Sequence, residues 1–380
     1  MRLSRDDLLD DAVRRAGFDD FGAPAFMEGL DALIGSIGEN RQIPEAARPM
    51  VEARVSEPLV QRLRLYGERA RHPEIARQKI VAPLIVIGLP RSGTTFLHAL
   101  LSRDPVARSP MAWQISNLSP PPRQETIDTD PRIAATEAAQ ARLPEDFKLM
   151  HLVGPRLPEE CNTIMAPSFV SPNFDSGLHV PEHMQWFMQA DAGPALEVHR
   201  HTLQHLQAFT AGDRWVLKAP PHMFHMAALI AAYPDAQIVF PHRDPADTIP
   251  SLASLIASIR GWIFPEVDKA RIGQEQLEYW ATALERALAF RDDPAQAVRF
   301  CDVSYADLVA RPMETAAAIY DHFGMTFSAA AEAAMRAFLA DKPKDKHGTH
   351  RYTLEEFGLT RDMVADRFRN CRTSQPSPQY

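Results

Sequence analysis

The sequence predicts an α/β protein: a parallel sheet flanked by helices, preceded by a helical segment and carrying a mostly helical insertion over its ligand-binding edge. Three observations predict it. Residues 5–78 keep a helical period of apolar positions. At VAPLIVIG, residues 81–88, the period changes to that of a buried strand. Beyond it, short apolar runs alternate with helical patterns, as a parallel sheet with crossover helices requires.

In the first segment, residues 1–78, Leu8, Leu9, Ala12 and Val13 recur at helical spacing, as do Phe26, Leu30, Leu33 and Ile34. Leu59, Leu63 and Tyr66 mark a further helix, ended before Pro73. The α/β domain is expected over 79–370. Its strands are placed at 84–87, 108–113, 215–217, 237–240 and 298–303. Helical patterns run over 223–232, 245–259 and 306–323, and a long amphipathic helix over 274–290. Residues 114–212 are rich in Pro and His and poor in strand patterns. They are read as an insertion above the carboxyl ends of the strands, where open α/β sheets bind ligands. Residues 371–380, with TSQPSPQY, read as a disordered tail.

Composition narrows the function classes. A formal net charge of −8 argues against nucleic acid and against an anionic membrane surface, while leaving room for a local basic pocket. The first residues, MRLSRDDLLDDAVRR, lack the apolar core of a signal peptide, and no apolar run approaches a membrane span. Cys161, Cys301 and Cys371 are scattered; they fit a reducing compartment and suggest neither a disulfide framework nor a metal site. The expectation is a cytoplasmic protein needing no metal, with oligomer formation left open.

The chemistry concentrates in two stretches. In PLIVIGLPRSGTTFLHALL, Gly88 and Gly93 bracket a tight turn between a strand and a helix. Inward-pointing N–H groups of such a turn cradle oxyanions, and the helix start adds its positive end. Arg91, Thr94 and Thr95 add a cation and two hydroxyls. A nucleoside-triphosphate loop would place Lys after the second glycine, and here Thr94 stands there. IVFPHRD does not end like a strand carrying a metal-binding acid. The loop is therefore P-loop-like but suited to an anion other than a metal-bound triphosphate. In the second stretch, PHRDPADTIPS, Arg243 and Ser251 are placed to grip one phosphate from two sides, unless Arg243 merely pairs with Asp244 or Asp247.

The pair GLPRSGTTF and HRDPADTIPS resembles the sulfotransferases that use 3′-phosphoadenosine 5′-phosphosulfate (PAPS). WVLKAP, with Lys218, and VSYADLVARP are similar to segments of that family. HGTHRYTLEEFGL, FDDFG and RHPEI resemble a bacterial-rich branch of it, so the resemblance spans about residues 8–360. It implies a P-loop-type sheet and PAPS as co-substrate. The first loop, Arg91, Ser92, Gly93, Thr94 and Thr95, would hold the 5′-phosphosulfate, and Arg243 and Ser251 the 3′-phosphate. Phe96 would either stack on adenine or pack in the core. Lys344, Lys346, His347 and Gly348 would lie where the family closes on the 3′-phosphate.

Sulfuryl transfer needs positioning and charge stabilisation, as phosphoryl transfer does. Arg91 and Lys218 are the candidates for stabilising the leaving oxygen. The general base is left open between His222, after the Lys218 strand, and Glu160 or Glu159 of LPEEC. Gln114 departs from the branch, which often has Glu after the Trp that stands here as Trp113. The insertion offers His151, Phe169, His179, His183, Trp186 and Phe187 as acceptor contacts. Its apolar character favours a small hydroxylated acceptor, such as a lipid, steroid or phenol. The rival readings are a P-loop small-molecule kinase and a catalytically inactive nucleotide-binding relative.

Overall fold

The computed structural model describes residues 2–341 and 352–372. Five strands form one parallel sheet: β1 (Leu84–Val86), β2 (Ala107–Arg108), β3 (Arg214–Lys218), β4 (Gln237–His242) and β5 (Phe300–Ser304), in the order β2-β3-β1-β4-β5. β1 is the centre. Leu84 pairs with Val216 on one side and Gln237 on the other. Its apolar run is continuous because both faces are covered. Leu84 and Val86 pack toward Leu97, Leu100 and Ile319, whereas Ile85 and Ile87 face a larger core with Leu203, Trp280 and Leu284.

Two expected elements change. The strand expected over 108–113 stops at Arg108. Pro110 cannot donate to a ladder, and Trp113 enters the short helix Ala112–Ser116. The helix expected over 306–323 divides into Tyr305–Ala310 and Pro312–His322, because Pro312 forces Arg311 out of helical geometry. Gly88 and the strand ends meet closely: a Cβ on Gly88 would stand 2.8 Å from the Pro241 carbonyl oxygen.

The first segment forms the helices Arg5–Ala16, Phe26–Glu39 and Arg48–Arg71. They enclose their own core, which takes in Phe169, Phe174 and Leu178 of the insertion. Arg62 fastens the FDDFGAPAF loop: its guanidinium donates to the carbonyls of Phe21 (2.6 Å), Ala23 (2.8 Å) and Pro167 (3.1 Å). Residues 114–212 carry helices, among them Cys161–Met165 and Gly193–Gln207, and no strand. We call this part the cap. Packing continues past the expected start of the tail: Cys371 is buried in the helix Arg369–Arg372. Lys344, Lys346, His347 and Gly348 lie outside the described residues, as does TSQPSPQY.

Candidate active site

The loop after β1 turns sharply into the helix Thr94–Leu101. Gly93 takes φ 89°, which glycine adopts at little cost. Arg91 takes φ 69°, in the region that other residues rarely visit. The strain, of order 1–3 kcal/mol, is held by its surroundings. The Arg91 carbonyl accepts a hydrogen bond from Arg243 Nη1 at 2.9 Å. Ser92 is buried, and its hydroxyl donates back to the Leu89 carbonyl at 2.7 Å. Ser92 therefore closes the turn, while Gly93, Thr94, Thr95 and Phe96 line the cavity beside it.

The Arg91 side chain crosses to the second motif. Its Nε donates to Ser251 Oγ at 3.0 Å and its Nη1 to the Met150 carbonyl at 2.9 Å. Burial lowers the pKa of this guanidinium, and no carboxylate among the described residues offsets the effect. Arg243 follows β4, and Asp244 caps the next helix, Pro245–Arg260, by accepting from the Ala246 N–H at 2.9 Å. The Arg243 guanidinium lies 4.3 Å over the Tyr305 ring. Asp247 approaches its Nε no nearer than 3.9 Å, and that buried Nε has no hydrogen-bond partner among the described residues. Pairing with Asp244 or Asp247 thus does not use up Arg243.

Lys218 ends β3 and is 2% exposed. Its ammonium donates to a Glu160 carboxylate oxygen and, at 3.1 Å, to Thr95 Oγ1. One cation therefore joins the loop helix to the cap. Glu159 and Glu160 both line the cavity. The PEE segment is tied to the chain leaving β2: the Glu159 N–H donates to the Pro110 carbonyl at 2.8 Å, and the Ala112 N–H to the Leu157 carbonyl at 3.0 Å. Burial and the neighbouring Glu160 charge push the Glu159 carboxyl up to about 7.

His222 is brought near Lys218 but not onto the cavity wall. It is buried in the turn Pro220–His225, with its ring edge-on to His199 at 5.8 Å between centres. Gln114 is also off the wall. Its Oε1 accepts from the Met111 N–H at 3.0 Å and so caps the helix Ala112–Ser116. Phe96 both lines the cavity and packs against the core beneath β1, so the two expected roles coincide in one ring.

The cavity holds about 1190 Å³. Its polar end is the loop and the two motifs. Its apolar side is formed by Leu252, Leu255, Ile256 and Ile259 of the Ser251 helix, with Phe147 and Trp262, whose rings meet edge to face at 5.1 Å. Of the acceptor contacts expected from the cap, only His151 lines this space. The others are used in packing. Phe169 and Phe187 are core residues, His179 bonds Glu275 at 3.0 Å, His183 bonds the Phe169 carbonyl at 2.9 Å, and Trp186 donates to Glu28 at 3.1 Å. Leu252, Leu255, Ile256 and Ile259 were missed, although they recur at i, i+3, i+4, i+7 on the helix that carries Ser251.

A model of the sulfotransferase family matches residues 83–329, which include Arg91, Lys218, Arg243 and Ser251. Two solved structures are similar over almost the whole chain. Sulfotransferase STF1 from Mycobacterium tuberculosis H37Rv is 32% identical, with 97% of this chain and 99% of that chain covered and a TM-score of 0.85. Sulfotransferase STF9 from Mycobacterium avium is 28% identical, with 98% and 96% covered and a TM-score of 0.90. A curated relative, omega-hydroxy-beta-dihydromenaquinone-9 sulfotransferase Stf3 of Mycobacterium tuberculosis, is 23% identical over 308 residues, 77% of this chain and 74% of its own length. The strand, loop and two motifs built above fall inside the matched region, and the protein belongs to the sulfotransferase family.

Proposed function

We propose that the protein transfers a sulfuryl group from PAPS to the hydroxyl of an apolar, lipid-like acceptor. One observation carries the reading. Arg91 and Ser251 stand 160 residues apart in the chain yet are joined at 3.0 Å, with Arg243 bonded to the Arg91 backbone, all at one end of a single cavity. A ligand with anionic groups at both ends of a nucleoside fits this arrangement. The loop N–H groups, Thr94 and Thr95 would take the 5′-phosphosulfate, and the unpartnered Arg243 Nε with Ser251 the 3′-phosphate. Arg91 would leave Ser251 for the anion, which offers it the negative partner it lacks.

In the transfer, the acceptor oxygen forms a bond to sulfur in line with the breaking bond to the 5′-phosphate oxygen. Lys218 is placed between the two ends of that line, since it already touches Thr95 of the loop and Glu160 of the cap. Turning toward the leaving oxygen, it would stabilise the charge that develops there. We assign the proton acceptor to Glu160, which lines the cavity, over the buried His222. The leucine and isoleucine face of the Ser251 helix, with Phe147 and Trp262, supplies the acceptor channel. A relative that by its name acts on a hydroxylated menaquinone supports a lipid-like acceptor. Among the described residues no helix is long and apolar enough to cross a membrane.

The test is release of 3′-phosphoadenosine 5′-phosphate (PAP) from PAPS, with a hydroxyl-terminated polyprenyl lipid or a hydroxylated sugar as acceptor and no added metal. Release driven by the lipid is expected, falling about 100- to 1000-fold in Lys218→Ala. Release driven only by the sugar would remove the apolar acceptor from the account.

A further inference from the structure

Next to the Lys218–Glu160 pair lies a cluster that sulfuryl transfer does not use. Cys161 opens the helix Cys161–Met165, directly after Glu160. His199 stands in the long cap helix Gly193–Gln207, and His222 in the turn after β3. The cysteine sulfur and one nitrogen from each ring lie within 4.8 Å of one another, and all three residues are buried. Cys161 is a free thiol. The Nε2 atoms of His199 and His222 are buried without a hydrogen-bond partner. Each unsatisfied buried polar group costs folding free energy, so two of them facing one thiol call for a common partner.

We propose that Cys161, His199 and His222 bind one zinc ion that fastens the cap to the carboxyl end of β3. Tetrahedral zinc with ordinary Zn–N and Zn–S lengths sets its donor atoms about 3.4–3.6 Å apart. Donor atoms that already lie within 4.8 Å of one another need side-chain turns of about 1 Å to close on it. The donor set of one thiolate and two imidazoles suits zinc and not magnesium or calcium, which take oxygen ligands. The second layer is already in place. Tyr233 Oη lies 2.6 Å from His199 Nδ1, so Nδ1–H can donate to it while Nε2 holds the ion, the arrangement that orients metal-bound imidazoles. Three protein ligands leave one tetrahedral position for water. The ion would hold Cys161 and His222, and through them the adjoining Glu160 and the nearby end of β3, in fixed relation. The spacing of the three residues along the chain follows no dedicated metal motif, which is why the sequence suggests no metal here.

The full-length protein, purified without an affinity metal and equilibrated with zinc, is desalted and analysed by mass spectrometry for metals. About one zinc per chain is expected, with the melting temperature raised by zinc. Cobalt replacing zinc should give a thiolate-to-cobalt charge-transfer band. Cys161→Ser should lose the band and the retained zinc, with Cys301 and Cys371 left as internal controls. If that variant does not fold, the wild-type cobalt spectrum decides alone. Less than about one tenth of an equivalent of zinc, or a cobalt complex without a thiolate band, would overturn the proposal.

Discussion

At the loop edge of the sheet, Arg91, Lys218 and Arg243 follow closely on strands β1, β3 and β4, and Ser251 stands on the helix after β4, so the sheet register and one helix fix where they point. Where the cap meets the helices Pro245–Arg260 and Lys269–Arg291, side chains of similar chemistry have another use. His179 and Arg260 close on Glu275, and Arg260 on Asp175, inside the protein. In the first region Arg91 pairs with a hydroxyl and a carbonyl rather than a carboxylate, and of the cations there Lys218 is the one in close contact with a carboxylate, that of Glu160. The second pairs its charges and so holds shape. The difference teaches that a polar residue beside the cavity is not a ligand contact until its partners are known.

The largest expected effect lies at this contact between the cap and the Ser251 helix. Arg260 and Asp175 are paired at 3.1 Å with side chains 4% and 5% exposed, and Glu275 is 3.0 Å from the same guanidinium. Arg260→Ala leaves the buried Asp175 without its cation, while Glu275 keeps Arg271 at 2.9 Å, and should lower stability by about 3–5 kcal/mol, read from urea unfolding midpoints. An undisturbed midpoint would mean that the cap is not held by its charges. Next comes the nucleotide edge. Arg243→Ala should weaken PAP binding by about 2–4 kcal/mol while leaving the unfolding midpoint close to wild type. A loss of stability without a loss of affinity would reverse the contrast.

A pH series sharpens it further. His98 beneath the sheet and His205 in the cap are held near 3, and His183 in the cap near 4, by burial. Their folded pKa values lie below the unfolded value, so the unfolded chain binds more protons between about pH 4 and 6.5. Stability should therefore be level above pH 6.5 and fall below it, by up to about 1.4 kcal/mol per pH unit for each histidine. A midpoint unchanged between pH 7.5 and 5.5 would contradict their burial as neutral groups. The smallest effect is expected at Gln114. Gln114→Glu keeps an oxygen for the Met111 N–H and sets a carboxylate at a helix start, which offsets part of its burial, so stability should fall by no more than about 1 kcal/mol and turnover should not change. A rise in turnover would show that position 114 is catalytic ground.

How much of this was legible in the chain follows the same division. The loop and the PHRDPADTIPS motif could be read because strand, turn and helix start are contiguous there, and local spacing already sets geometry. The parallel sheet was legible for the same reason, apart from β2, which Pro110 cuts short, and the break that Pro312 makes after Arg311. The cap could be read only as helical. Whether His151 or His183 meets the cavity depends on how short helices pack against residues far away in sequence: His183 is buried against Phe174, while His151 stacks on Phe147 at the wall. The surroundings of His222 could not be read for that reason too, because only the fold brings His199 and Cys161 around it. The apolar face of the Ser251 helix was readable and was passed over, since its period resembles ordinary core packing.

The central claim is that the two motifs hold a nucleotide phosphorylated at both ends without a metal. Titration calorimetry of the protein with PAP, against ADP plus Mg²⁺, tests it most directly. The account predicts tight PAP binding in the presence of a magnesium chelator and little heat from ADP with Mg²⁺. Binding of ADP only with Mg²⁺, and none of PAP, would contradict it.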